Sequence, residues 1–417
     1  MNWFLKLSFA ICLMGFVGQS CRNGSSNTKI SGTWRIVLSL QGQQLPFMLS
    51  IEEKAPQKYI GYLINADEKI LLENITLKDD SLLIPLHIFD AALLAKVKNN
   101  RLEGKWVRYG LNKPYEVAFT GEKSASARFS AAVEADSKAT AQVSGKWSVN
   151  FQSKDGKDTY PAVGVFKQTG NKVTGTFLTT TGDYRYLEGV VQGKEILLSA
   201  FDGSHAFLFK AKAKHDDSLE GEFWSGKNGY ETWTAQRNQQ AALPNADSLT
   251  FLKKGFDKLA FSFPDLKKQL VSLTDERYKG KVVVVQIMGS WCPNCMDETA
   301  FLAPWYAKNK ARGVEVIGLA YEQSPEFEKA APRVQKVVDR FQIEYACLIA
   351  GTRDKEEASK TLPMLNKVLA FPTTIFIDKK GQVRRIHTGF NGPGTGIYYD
   401  QFVEEFNTFI NALLKEN

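Results

Sequence analysis

Two cysteines three residues apart, Cys292 and Cys295, stand in the run Trp291-Cys292-Pro293-Asn294-Cys295, directly after a strand-like stretch from Val282 to Met288. An amphipathic segment of helical character follows, which places the pair at a strand-to-helix junction. There the unpaired N–H groups of the first helical turn, and the positive end of its dipole, favour a thiolate on the leading cysteine. Pro293 suits the first helical position, where a missing N–H wastes no hydrogen bond. The spacing permits a disulfide within one turn, with Cys292 expected as the exposed nucleophile and Cys295 as the resolving thiol. Half of a zinc site would use the same spacing, but zinc needs a second ligand pair. No other CxxC, CxxH or HxxxH occurs in the chain. The pattern points to dithiol–disulfide exchange, with no metal and no cofactor expected.

The elements that must position this pair follow from the hydrophobic pattern. Strands are expected at 281–288, 314–320, 345–350, 373–378 and 382–389, and helices at 293–311, 325–341, 355–368 and 400–415. Strands alternating with helices of this length predict a βαβ sheet with helices on both faces. Asp378-Lys379-Lys380-Gly381 supplies the turn of a final hairpin. Proline is the residue that adopts a cis peptide cheaply, and a cis bond at Pro372 would turn the backbone toward Cys292. Phe371 would then offer its backbone groups to an incoming substrate strand.

Residues 255–417 resemble the membrane-anchored thioredoxin-like proteins of the TlpA/ResA type. The likeness rests on Phe263-Pro264-Asp265-Leu266, on Gly280-Lys281-Val282-Val283-Val284-Val285 leading into Gly289-Ser290-Trp291-Cys292, and on Phe371-Pro372-Thr373-Thr374-Ile375-Phe376-Ile377-Asp378 with Gly381-Gln382-Val383-Arg384. About 80 residues separate Cys292 from Pro372, and the extra helix and strand at 325–350 fill that gap, an insertion usual in the family. The resemblance implies an enzyme, a thiol–disulfide oxidoreductase of the protein-disulfide reductase type. Cys292 and Cys295 would form its redox-active disulfide, and Trp291, Phe371 and Pro372 would contact the substrate. Its partners would be substrate protein disulfides and a membrane thiol–disulfide electron donor.

Ordinary thioredoxins keep a buried acid on the strand six residues before the first cysteine, where this chain has Gln286. The family instead places a glutamate three residues after the second cysteine, and Glu298 matches it. At i+3 from Cys295 on a helix, Glu298 shares the face of the resolving sulfur and could act as its proton shuttle. Asp297 beside it is expected to be exposed. The chain departs from the family at Ala300, which replaces a helix-kinking proline; Pro304 comes one turn later. Two other functions are weighed: a client-binding scaffold acting through the β repeats below, and copper delivery, which would need CxxxC spacing and a facing histidine such as His387. Cys347, in Tyr345-Ala346-Cys347-Leu348-Ile349, reads as a buried small hydrophobe.

At the chain start, residues 1–20 read as a signal peptide: Lys6 carries the charge, and Leu7 to Gly18 is too short for a comfortable membrane span. Gly18-Gln19-Ser20-Cys21 is a relaxed lipobox, so Cys21 is the expected lipidation site and 21–30 a tether. The expected location is the bacterial cell envelope, on the periplasmic face, lipid-anchored to a membrane. The formal net charge of +8 is spread along the 417 residues rather than clustered, and no nucleic-acid site is inferred.

Residues 31–122 and 144–237 repeat one another. Ser31-Gly32-Thr33-Trp34 returns as Ser144-Gly145-Lys146-Trp147, and Leu102-Glu103-Gly104-Lys105-Trp106 as Leu219-Glu220-Gly221-Glu222-Phe223, the offset drifting only from 113 to 117 residues. Short alternating segments separated by turns predict an antiparallel all-β barrel or sandwich, lipocalin-like, in each repeat. Residues 123–143 and 238–254 read as linkers. Trp34, Trp106, Trp147, Trp224, Trp233, Tyr184, Tyr186 and Phe207 are expected in barrel cores and end-plugs. The whole chain is thus expected to be two β repeats followed by an α/β thioredoxin-like domain.

Overall fold

A computed structural model describes residues 29–86, 89–110, 114–123, 127–129, 139–215 and 217–416. The signal peptide, Cys21 and most of the tether lie outside the described residues. Among the described residues no helix is long and apolar enough to cross a membrane.

The first repeat is a closed up-and-down barrel of eight antiparallel strands: β1 (Gly32–Leu40), β2 (Gln43–Ala55), β3 (Lys58–Asn65), β4 (Glu68–Lys78), β5 (Ser81–Pro85), β6 (Ala91–Lys98), β7 (Arg101–Arg108) and β8 (Tyr115–Lys123). β8 closes on β1 with Trp34 opposite Lys123 and Leu38 opposite Phe119. Trp34, Ile36, Leu38 and Leu40 alternate inward along β1, the period of two that a half-buried strand requires.

The second repeat uses β9 (Gly145–Ser153), β10 (Thr159–Thr169), β11 (Lys172–Thr179), β12 (Gly182–Asp183), β13 (Leu187–Gln192), β14 (Glu195–Phe201), β15 (Ala206–His215), β16 (Ser218–Ser225) and β17 (Gly229–Arg237). β9 pairs with both β17 and β10, and β10 pairs with β11, so eight long strands close a ring to which the two-residue β12 is added. Closure removes the free edges that an open sheet would expose, and it selects the barrel over the sandwich. Duplication extends to detail. The Trp34 and Trp147 indoles each donate to a carbonyl four residues back, Ile30 at 2.8 Å and Val143 at 2.9 Å. Gly32 and Gly145 both hold positive φ, +132° and +112°, which other residues adopt only with strain. Of the aromatics expected in barrel cores, Trp147, Phe207 and Trp233 lie in the second core, among Phe151, Phe177, Phe209 and Phe223, while Trp34, Trp106 and Trp224 pack in the first.

The repeats part company between β11 and β13. In the first barrel β3 turns through Ala66-Asp67 into an unbroken β4. In the second, the matching strand is interrupted at Tyr184-Arg185-Tyr186, with Arg185 at φ +57°.

The C-terminal domain opens with a small hairpin, β18 (Ser262–Pro264) and β19 (Leu270–Ser272). Its five-stranded sheet has the order β22–β21–β20–β23–β24, from β20 (Val282–Met288), β21 (Val314–Glu322), β22 (Ala346–Thr352), β23 (Thr373–Ile377) and β24 (Val383–Thr388). β20, β21 and β22 run parallel, while β23 and β24 are antiparallel to their neighbours. β20 is buried at every position, as a continuous apolar run in a central strand should be. The helices are α1 (Pro293–Asn309), α2 (Phe327–Phe341), α3 (Lys355–Thr361) and α4 (Ile397–Lys415). Phe301 and Trp305 of α1 pack on Phe406 of α4. α3 is shorter than the expected 355–368, because Pro363 biases Leu362 away from helical geometry; the chain then pairs Leu365 with Leu252.

The segment read as the linker 123–143 is not free where it is described: Arg128 is buried between the barrels, 3.3 Å from Glu188. Ser199 Oγ donates to Pro46 O at 2.6 Å across the same interface. Asp90 of the first barrel meets Arg333 at 3.0 Å and Lys336 at 2.6 Å on α2.

Candidate active site

β20 delivers the chain to Gly289, and α1 starts at Pro293 with Cys292 as its N-cap. The Cys292 sulfur accepts the Cys295 backbone N–H at 3.2 Å, one of the donors that a helix start leaves unpaired. The two cysteines are 5.2 Å apart at Cα, with their sulfurs near disulfide distance. Across from them the Phe371–Pro372 bond is cis. The Phe371 carbonyl oxygen lies 3.3 Å from Cys292 Sγ, and the Phe371 ring meets Trp291 edge-on at 5.4 Å. Cys292, Cys295, Trp291, Phe371 and Pro372 thus converge, although they come from two segments far apart in sequence.

Glu298 is also at this site, and fully buried. Its carboxylate accepts Gln286 Nε2 at 2.8 Å from β20 and the Thr374 hydroxyl from β23. Burial pushes its pKa up to about 7, against the pull of the Thr374 and Gln286 hydrogen bonds and of the more distant His387. Gln286 also donates to Thr299 Oγ1 at 3.2 Å and reaches Cys295 O at 3.5 Å, tying the acid to the turn that carries the resolving cysteine. Neither Thr374 nor Gln286 shows itself as a partner of Glu298 in sequence; only the sheet register, with Thr374 opposite Gln286, brings them there.

Glu322, at the end of β21, is a further buried acid that the sequence does not single out. It accepts the Ser290 N–H at 2.7 Å and hydroxyl at 2.6 Å, fixing the backbone two residues before Cys292. Burial raises its pKa, while those two hydrogen bonds favour its charge. Trp291 Nε1 donates to Tyr321 O at 2.8 Å. His387 is engaged elsewhere, 2.7 Å from Asp247, and Cys347 is buried with its thiol pKa pushed up to about 12 by burial.

Two expectations are corrected. Cys292 is not an open nucleophile: it is only 6 % exposed. Asp297 is not a free surface acid either. It pairs with Arg185 of the second barrel, which also meets Glu68 at 2.5 Å and Asp202 at 3.5 Å. Burial alone would lower the Arg185 pKa, but the surrounding carboxylates, Asp297 foremost, hold it well above the usual value.

The Redoxin family model matches residues 253–401. The C-terminal domain is a Redoxin domain. It is similar to the thiol-disulfide oxidoreductase ResA of Halalkalibacterium halodurans, 28% identical over 158 residues, covering 38% of this chain and 77% of that one. The protein of the same name from Geobacillus kaustophilus is 32% identical over 129 residues, covering 31% of this chain and 66% of that one. Among solved structures, a thiol:disulfide interchange protein of the thioredoxin family from Chlorobium tepidum aligns at TM-score 0.30 and 19% identity, covering 39% of this chain and 98% of that one. The thioredoxin domain of a thiol-disulfide oxidoreductase from Bacteroides vulgatus aligns at TM-score 0.28 and 23% identity, covering 37% and 99%. The family match begins at residue 253, after both barrels. The Redoxin domain is of the thiol–disulfide oxidoreductase kind.

Proposed function

We propose that this protein is an exported, lipid-anchored reductase of protein disulfides. The observation that carries the chemistry is the Cys292 sulfur, held between the Cys295 amide and the Phe371 carbonyl at the start of α1. In the dithiol form the Cys292 thiolate attacks one sulfur of a client disulfide, forming a mixed disulfide and releasing one client thiolate. Cys295, its proton taken by Glu298, then attacks Cys292 Sγ. The second client thiolate leaves and the Cys292–Cys295 disulfide closes, two electrons having passed to the client. Trp291, Phe371 and Pro372 hold the client strand. A membrane thiol–disulfide carrier returns two electrons and two protons to the pair.

The direction is supported by Glu298. A buried carboxylate one turn from Cys295 opposes a second negative charge there, disfavouring the thiolate and favouring the disulfide, which makes the dithiol a better reductant. Residues 1–20 would be removed on export, and acylated Cys21 would hold the protein at the periplasmic face of the cell envelope.

Trapping tests this reading. Reduced Cys295→Ser protein mixed with a disulfide-bonded protein should accumulate a mixed disulfide through Cys292, and Cys292→Ser should not. Equal adducts in the two variants, or none in either, would sink the assignment of roles.

A further inference from the structure

The face that a client must reach is already covered. Besides Cys292, the residues Pro293, Asn294, Phe371, Pro372, Gly389 and Phe390 are buried, and Asn294 is 8 % exposed although it lies between the two cysteines. The interrupted strand of the second barrel covers this face at Asn294, Gly389 and Gly392. Asn294 Nδ2 donates to Asp183 O at 3.2 Å, and Gly392 N–H donates to the Asp183 carboxylate at 2.7 Å. Ser204 Oγ donates to Trp291 O at 3.3 Å. The packing is backbone on backbone: a Cβ on Gly389 would lie 3.1 Å from the Thr181 carbonyl carbon, and one on Gly394 would lie 3.0 Å from that of Arg185.

Resting on the oxidoreductase reading, we propose that residues 180–185 are a cap that competes with the client for the redox site, and that Arg185 is its latch. Three features support a separable contact rather than a fixed part of the site. Arg185 sits at φ +57°, a strained conformation for a side chain of its type, at the one place where the second barrel breaks a strand that the first keeps whole. Its guanidinium draws together carboxylates from three parts of the molecule: Glu68 of the first barrel, Asp202 of the second and Asp297 of α1. Beside the cap the fit is imperfect, leaving a half-open cavity of about 250 Å³ between Val163 and Leu178 of the second barrel and Leu243, Phe390 and Tyr398. Without Arg185, the clustered Glu68, Asp183, Asp202 and Asp297 would repel one another. The cap contains no cysteine, so it blocks the dithiol without being consumed by it.

The test uses the full chain and Arg185→Gln, with two readouts. Amide hydrogen exchange of residues 180–186 and 289–296 in the oxidised protein needs no chemistry. Reduction of insulin disulfides by the dithiol form reports client access, with a small aromatic disulfide as a control for an active dithiol. The cap predicts faster exchange in both segments together and insulin reduction at least tenfold faster. Unchanged exchange, or an insulin rate within twofold of the parent in a variant of native circular dichroism, would overturn it. A protein that reduces neither insulin nor the small disulfide would defeat the reductase reading instead, and exchange alone would then decide the cap. If Arg185→Gln does not fold, Glu68→Gln, which removes one carboxylate of the latch from the far barrel, is judged by the same two readouts.

Discussion

Replacing Glu298 by Gln keeps the shape of the buried acid and removes its ability to take a proton. In the folded protein its pKa lies at about 7, against 4.5 for an ordinary glutamate. That gap corresponds to about 3–4 kcal/mol, at roughly 1.4 kcal/mol per tenfold change in proton affinity. The folded state therefore binds more protons than the unfolded chain between those two values. Its contribution to stability is fully present below about pH 4.5 and is lost as pH rises through about 7. From pH 5 to pH 8 the parent should lose about 2–3 kcal/mol that Glu298→Gln does not, measured by chemical denaturation of both proteins across that range. The same substitution should slow the resolving attack of Cys295 by about 100-fold or more near neutral pH, since a positioned general base contributes about that much. Attack by Cys292, which draws on the helix N-terminus, should change far less. Stopped-flow quenching of the mixed disulfide separates the two steps. Parallel stability curves from pH 5 to 8, together with equal resolving rates from pH 5 to 9, would refute the argument.

Three further outcomes follow from the same geometry. Gln286→Ala removes a hydrogen bond that favours the Glu298 carboxylate, so the pH midpoint of the resolving step should move above that of the parent; a midpoint that stays or falls would count against the pairing. Glu322→Ala strands the Ser290 N–H and hydroxyl and should cost about 1–3 kcal/mol, read as faster amide exchange at residues 289–292. Trp147→Ala opens the second barrel's core at about 3–5 kcal/mol, visible as an early unfolding transition that leaves the redox chemistry of the surviving Redoxin domain measurable.

The parts of this molecule that were legible in sequence are those specified by local pattern. The apolar run of β20, Pro293 at the start of α1 and the Asp378–Gly381 turn each carry their own geometry. The duplication was readable because Gly32 and Gly145 serve one backbone need, and Trp34 and Trp147 one hydrogen bond. The acid beside Cys295 was found through its helical spacing, but not its depth, because Thr374 and Gln286 reach it only through sheet register. Least legible was the covering of the site. Arg185 and Asp297 are separated by 112 positions, and neither lies in a pattern that announces the other. An acid at a helix start reads as a solvated one until another domain is seen to dock on it.

The reduction potential of the Cys292–Cys295 pair in the full-length protein, measured by equilibration with a dithiol buffer, tests the central claim most directly. A reductase whose buried carboxylate disfavours the Cys295 thiolate should give a value nearer the roughly −270 mV of thioredoxin than the roughly −120 mV of strong periplasmic oxidants. A value close to the latter would mean that the pair takes electrons from its clients rather than giving them.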